Sequence, residues 1–263
     1  INTKGPVVTD DAYVVLAGSP LSASPTIGLL SNDETPPGTA VNIDSLPTAR
    51  FVASEDCIYH AIFMGPDRDE IEAAFIHYWR TGPVGENWVE WVRCFTPDVT
   101  YVDHFWGPLR GREEVAAWID PVMMGVPEIY TVLDWYAIEG DKVIFRCENR
   151  RDNPHSEGPE YFDFPGLSVL WYGGDGLWRA EEDYWDRDGA RRTSIDYADA
   201  CRRAGVTTWE ERMTRNHWPS SPEWAALDTP PNPSWVGRTD LAGITKPREL
   251  AAVLAPLRDG GAR

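Results

Sequence analysis

The feature that most constrains this chain is a change of period at Pro127. Upstream, apolar residues recur at helical spacing; downstream, they alternate. Ile129 to Ile138 reads as a strand, Glu139-Gly140-Asp141 as a hairpin turn, and Val143 to Asp152 as the return strand. A polar loop, 153–160, leads into a third strand, Tyr161 to Tyr172. Gly173-Gly174-Asp175-Gly176 is a tight turn, and Leu177 to Asp186 is the last strand. Four strands joined this way form an antiparallel meander, and such a sheet must bury one face.

The residues before Pro127 supply the cover. Asp67 and Glu70 have the spacing of a capping box. Ile71, Phe75, Tyr78 and Trp79 then predict a helix over 68–81, which Gly82-Pro83 ends. Trp88, Trp91, Val92 and Phe95 predict a second helix, about 85–95, and Val99 to Trp106 a strand. Gly107-Pro108 breaks that strand. A third helix follows over 111–124, with Val115, Trp118, Ile119, Val122 and Met123 inward and Glu113 and Glu114 in its first turn, where the helix dipole favours them. With Thr193 to Arg203 as a closing helix, the layout is α+β.

Irregular segments flank this core. Residues 1–66 are rich in Pro, Ser, Thr, Gly and Asp and read as an extended arm with short strands at 11–16 and 26–30. The run from Asp10 to Asp33 resembles the opening of bacterial immunoglobulin-like surface repeats but is too short for a whole one. Residues 205–263 are expected to hold short helices at 208–217 and 247–257, with Pro247 suited to a first turn. The Pro-rich segment between them carries too many aromatics for a plain linker. Both extensions are expected to pack on their own domain or on a partner subunit.

Composition excludes several functions. The 42 acidic and 24 basic residues give a net charge of −18, which repels nucleic acid and acidic membrane surfaces. A long uncharged run, Ala12 to Ser31, holds two prolines and is no membrane span. No basic stretch precedes it, so a signal peptide is not expected, although the chain opens at Ile rather than Met. Cys57, Cys94, Cys147 and Cys201 are widely spaced and form neither a zinc motif nor a disulfide framework, so a reducing, cytoplasmic setting is expected. No His pair or carboxylate cluster has metal-ligand spacing, and no glycine-rich phosphate loop is present. Any chemistry is therefore expected to be free of metal and cofactor. Thirteen Trp residues fit an apolar pocket, a large interface or a Trp-rich core.

Ionisable residues on the strands are the candidates for chemistry. Alternation places Tyr101, Asp103 and Phe105 on one face and Val102, His104 and Trp106 on the other. It places Arg146 and Glu148 on the face opposite the more apolar Phe145 and Cys147, and Arg179, Glu181 and Asp183 together on the last strand. An Arg between two carboxylates would orient both and split their proton affinities, leaving one as a base and the other as an acid. The competing reading is a solvated face of cross-paired charges.

The run from Phe95 to Ile119 resembles the SnoaL-like proteins of the nuclear transport factor 2-like superfamily, a cone of helices closed by a curved antiparallel sheet. The resemblance covers 67–204. Within the superfamily, limonene-epoxide hydrolases carry an Arg-x-Asp pair, a second Asp on the last strand and a Tyr-x-Asn that holds the nucleophilic water. Arg146-Cys147-Glu148, Asp183 and Tyr101-Val102-Asp103 fall at these positions, with Glu for Asp and Asp for Asn.

The resemblance implies a cofactor-free acid/base enzyme acting on an apolar small molecule. Its candidate catalytic residues are Tyr101, Asp103, His104, Arg146, Glu148 and Asp183, and Trp106, Trp118 and Trp135 would line the pocket. Hydrolysis of an epoxide-hydrolase type is expected ahead of isomerisation, cyclisation or dehydration, in which Asp103 would be the base. A non-catalytic domain that binds a ligand or mediates assembly is the reading from another class. The resemblance also implies a homodimer.

Overall fold

The computed structural model describes residues 67–229 and 232–260, together with the backbone of three earlier strands. The chain forms two compact units, Ile1–Asp67 and Arg68–Arg263. The first holds β1 (Ala12–Leu16), β2 (Ala49–Ala53) and β3 (Ile58–Phe63), an antiparallel sheet in the order β1-β3-β2. So the arm expected from composition carries a sheet of its own. Its second expected strand, at 26–30, lies outside the described residues.

The second unit begins with α1 (Arg68–Trp79), which buries Ile71, Ala74, Phe75, Tyr78 and Trp79. A π-helical turn, Arg80–Val84, takes over where Gly82 and Pro83 interrupt the α pattern. The Trp91 ring occupies the space a side chain at 82 would need: a Cβ there would lie 2.2 Å from it. Asn87 accepts the Glu90 N–H at 3.3 Å and caps α2 (Trp88–Trp91), which is one turn long. Then come β4 (Phe95–Asp103), β5 (Gly107–Arg110) and α3 (Gly111–Gly125). The strand predicted over 99–106 starts earlier and stops at Asp103, because a turn occupies the next residues.

The expected meander follows as β6 (Tyr130–Glu139), β7 (Lys142–Asp152), β8 (Tyr161–Gly174) and β9 (Leu177–Trp185). The six strands form one curved, open sheet in the order β5-β4-β9-β8-β7-β6. All neighbours are antiparallel except β4 and β9, which run parallel with Asp103 beside Asp183. The sheet is therefore mixed. The closing helix, α4 (Arg187–Ala204), packs on β8. It starts well before the expected Thr193, directly after Trp185-Asp186.

Directly paired residues share a face, so the registers sort the sheet into two sides. Tyr101, Asp103, Phe145, Cys147, Ser168, Leu170, Glu181 and Asp183 lie on the inner side, and most are buried. Phe75, Tyr78, Trp79, Trp91, Phe95 and Trp118 pack over this side as one aromatic core. Val102, Arg146, Glu148, Leu167, Glu182 and Tyr184 lie on the outer side.

Residues beyond α4 wrap back over this same unit. The Arg215 side chain, 1% exposed, donates from Nε to Glu86 Oε1 at 2.7 Å and from Nη2 to the Pro127 carbonyl at 2.7 Å. Ser234 donates to Asp120 Oδ1 at 2.5 Å and accepts the Trp88 N–H at 3.0 Å. A last helix, α5 (Pro247–Gly260), packs on α3, buries Leu250 and Leu254, and sets Arg258 on the Glu114 carboxylate at 2.9 and 2.7 Å. Among the described residues, no helix is long and apolar enough to cross a membrane.

Candidate active site on the inner sheet face

The inner face carries three carboxyl groups where an apolar core would be expected. β9 supplies Glu181 and Asp183 because alternation sends both inward, and β4 supplies Asp103 one strand away. Asp183 is the most engaged with neutral donors. One oxygen accepts the Tyr101 phenol, and Oδ1 accepts the Ser168 hydroxyl at 2.5 Å. Although it sits deep in the protein, Asp183 keeps part of its surface accessible. Burial, and next the Asp103 carboxylate, push Asp183 up to about 6.

Glu181 is buried more completely. Its Oε1 accepts the Tyr78 phenol at 2.7 Å, while Oε2 has no partner among the described residues. Burial, and then the Asp183 carboxylate, hold Glu181 well above the usual carboxylate range. The two groups therefore work against each other's ionisation, Glu181 held up by burial and by Asp183, and Asp183 pushed up to about 6. Burial and the adjacent carboxylates also push the Tyr78 and Tyr101 phenols well up, so both remain hydrogen-bond donors.

Asp103 has a different task. Its Oδ1 accepts the N–H groups of Phe105 and Trp106 at 2.7 and 2.8 Å, and its Oδ2 accepts the Trp185 indole N–H at 3.0 Å. These bonds build the turn that ends β4. With both oxygens committed, Asp103 is a turn-former whose charge bears on Asp183, rather than the free base expected from the sequence.

The expected Arg146–Glu148–Asp183 set is not assembled. Arg146 bridges Asp134 at 2.5 Å and Glu148 at 2.6 Å on the outer face, while Asp183 lies on the inner one. The cause is register: Phe145 and Cys147, not Arg146 and Glu148, share a face with Ser168 and Asp183. The competing reading of β7, a solvated face of paired charges, describes what is found. His104 is also on the outer side, bonded to Glu182 at 2.7 Å and stacked on Tyr184. Of the three candidate pocket tryptophans, Trp118 is buried against Tyr101 and Trp106 is half-buried against the core. Trp135 faces outward beside Arg146, 45% exposed, because a bulge in β6 shifts its register.

The residues not singled out from sequence are Tyr78, Ser168 and Glu181. Glu181 was visible as a second acid two positions before Asp183. Tyr78 is indistinguishable from a core residue in the α1 pattern, and Ser168 is an unremarked polar position within an apolar strand. Among the described residues, no group of three His, Cys, Asp or Glu side chains could hold a metal ion.

Residues 73–181 match the family model of the SnoaL-like domain. No curated protein matches the chain. Among solved structures, one described as a SnoaL-like polyketide cyclase from Jannaschia sp. CCS1 is 19% identical, covering 49% of this chain and 94% of that one at a TM-score of 0.40. A hypothetical protein with a ketosteroid isomerase-like fold from Catenulispora acidiphila DSM 44928 is 20% identical, covering 50% of this chain and 95% of that one, TM-score 0.38. An LEH-like epoxide hydrolase from M. tuberculosis is 16% identical, covering 51% of this chain and 98% of that one, TM-score 0.39. Over residues 73–181 the chain is thus similar to the SnoaL-like domain.

Proposed function

We propose that the SnoaL-like domain is an acid/base enzyme that moves a proton at a carbon next to a carbonyl in an apolar small molecule. Isomerisation, cyclisation and dehydration all begin with this step. Asp183 is the base, and Tyr101 and Ser168 hold its carboxylate in place. Neutral Glu181 beside it is the group that can return a proton or donate to a developing oxyanion. The observation that supports this reading is the pair of adjacent inner-face carboxyls with separated proton affinities, of which Asp183, near 6, is partly accessible. Epoxide hydrolysis is less well supported, since it asks for an Arg-held acid beside Asp183, and Arg146 and Glu148 are across the sheet.

Hydrogen exchange at carbon tests the proposal without knowledge of the natural substrate. A set of apolar ketones is incubated with the protein in D2O, and deuterium entering the carbon next to the carbonyl is followed by NMR. We expect catalysed exchange of at least one ketone, with a rate that rises with pH and levels off above about 6, as Asp183 ionises. Exchange no faster than in buffer across the whole set would refute the proposal.

We also propose that two copies pair through the outer sheet face. Exposed Trp135 and Tyr184 flank half-buried Ile144, Leu167 and Val169 there, an apolar surface with Arg146, Glu148 and Glu182 around it. Light scattering at micromolar concentration should report a dimer, and Trp135→Glu should shift it to monomer. A monomeric wild-type protein would contradict this.

A further inference from the structure

A cleft of about 730 Å³ opens where the end of α1, the π-helical turn, α2 and the β8–β9 turn meet. Its volume is in the range of small-molecule sites. None of the inner-face carboxyls lines it, and the proton-transfer reading gives it no task.

Its polar groups are only partly used. Arg80 Nη2 donates to Asp228 at 2.9 Å, and Arg93 Nη1 donates to Glu90 at 3.1 Å. A guanidinium carries five N–H donors, and among the described residues the others on both side chains have no partner. The exposed His77 ring is also without a partner among those residues. Asn87 accepts the Glu90 N–H at 3.3 Å through Oδ1, which leaves its Nδ2 unpaired there. Asn232 brings a second amide from the chain beyond α4. Leu177 and the buried Cys94 supply apolar wall.

Two guanidiniums and an imidazole in one cleft run against the field of a chain whose net charge is −18. Forked N–H donors match the oxygens of a phosphate. The amides, with the Glu90 and Asp175 carboxylates that also line the cleft, call for a different ligand group. A hydroxyl answers both, since it accepts from an amide and donates to a carboxylate. We propose that the cleft binds a small phosphorylated polyol, with Arg80 and Arg93 on the phosphate and the Asn87 and Asn232 amides on hydroxyl groups. This site is independent of the proton-transfer reading.

Glucose 6-phosphate, ribose 5-phosphate and glycerol 3-phosphate are suitable probes, titrated by isothermal calorimetry beside glucose, ribose, glycerol and inorganic phosphate. At least one phosphorylated probe should bind in the millimolar range or below. It should bind about tenfold or more tightly than its phosphate-free counterpart and than inorganic phosphate, the scale of a charge-assisted hydrogen bond. Arg93→Gln should weaken it by about the same factor. Arg80→Gln should do likewise, and Arg93→Gln decides if loss of the Asp228 contact disturbs the fold. Arg191→Gln, which removes an exposed cation on α4, should leave binding unchanged. Binding of none of the three phosphorylated probes, binding no tighter than that of inorganic phosphate, or equal losses in Arg93→Gln and Arg191→Gln would overturn the assignment. Asp183→Asn should leave the titrations in place, so failure of the proton-transfer reading and failure of this one are separable.

Discussion

Asp183→Asn is expected to abolish carbon–hydrogen exchange while making the folded protein more stable above pH 6. The loss should be at least ~10²-fold, the scale of a positioned proton acceptor, because the amide keeps the shape but cannot take the proton. The gain follows from the same burial that tunes the acid. The unfolded chain ionises Asp183 near its ordinary value of 3.8, and the folded chain only near about 6. A group whose value is raised on folding contributes stability that is complete below the unfolded value and is lost as pH rises through the folded one. By neutral pH the buried carboxylate costs about 3 kcal/mol, at about 1.4 kcal/mol per unit. Replacing it with a neutral isostere removes that cost. The melting temperature of the variant should exceed that of the wild type at pH 8 and match it near pH 4. A variant less stable at both pH values would mean that the carboxylate is a structural anchor.

Arg215→Ala is expected to destabilise the domain by about 3–5 kcal/mol, the range for stranding one member of a buried ion pair. Arg215 ties the chain beyond α4 to Glu86, just before α2, and also satisfies the Pro127 carbonyl. Burial pushes the Glu86 carboxyl up even with Arg215 beside it, so the charge is held in place by its partner alone. Without the guanidinium, Glu86 must either take up a proton or lose its buried position. Denaturant unfolding at pH 7 checks the magnitude. The double change Arg215→Met with Glu86→Leu should recover much of the loss, because two apolar residues strand no charge.

The sheet was legible in the sequence because its strands alternate and its turns are marked. Gly140 sits at φ 58 in the β6–β7 turn, a conformation suited to glycine, and Glu139-Gly-Asp141 announces it. The helices α1 and α3 were legible for the same reason, at a period of 3.6. The parallel pairing of β4 with β9 was not, because nothing local to either strand records which distant edge it will join. That pairing is what places Asp103 beside Asp183.

The site was half legible. Tyr101 and Asp183 were identified as candidates and lie in contact. Arg146 and Glu148 were joined to them through a short motif match, although alternation on β7 already separated both from the more apolar Phe145 and Cys147. The actual face assignment follows the ordinary rule that the apolar side turns inward, and the charged side was the one to leave out. Asp103 was read by residue type as a base. Its capture by the N–H groups of the following turn depends on backbone directions that alternation does not give.

The separated states of the two carboxyls are best tested by carbon-13 NMR of the side-chain carboxyl groups as a function of pH, assigned with Asp183→Asn and Glu181→Gln. Asp183 should titrate with a midpoint near 6, and Glu181 should titrate above the usual carboxylate range. An Asp183 that titrates near 4 together with a Glu181 that ionises in acid would contradict the assignment of Asp183 as base and Glu181 as its neutral partner.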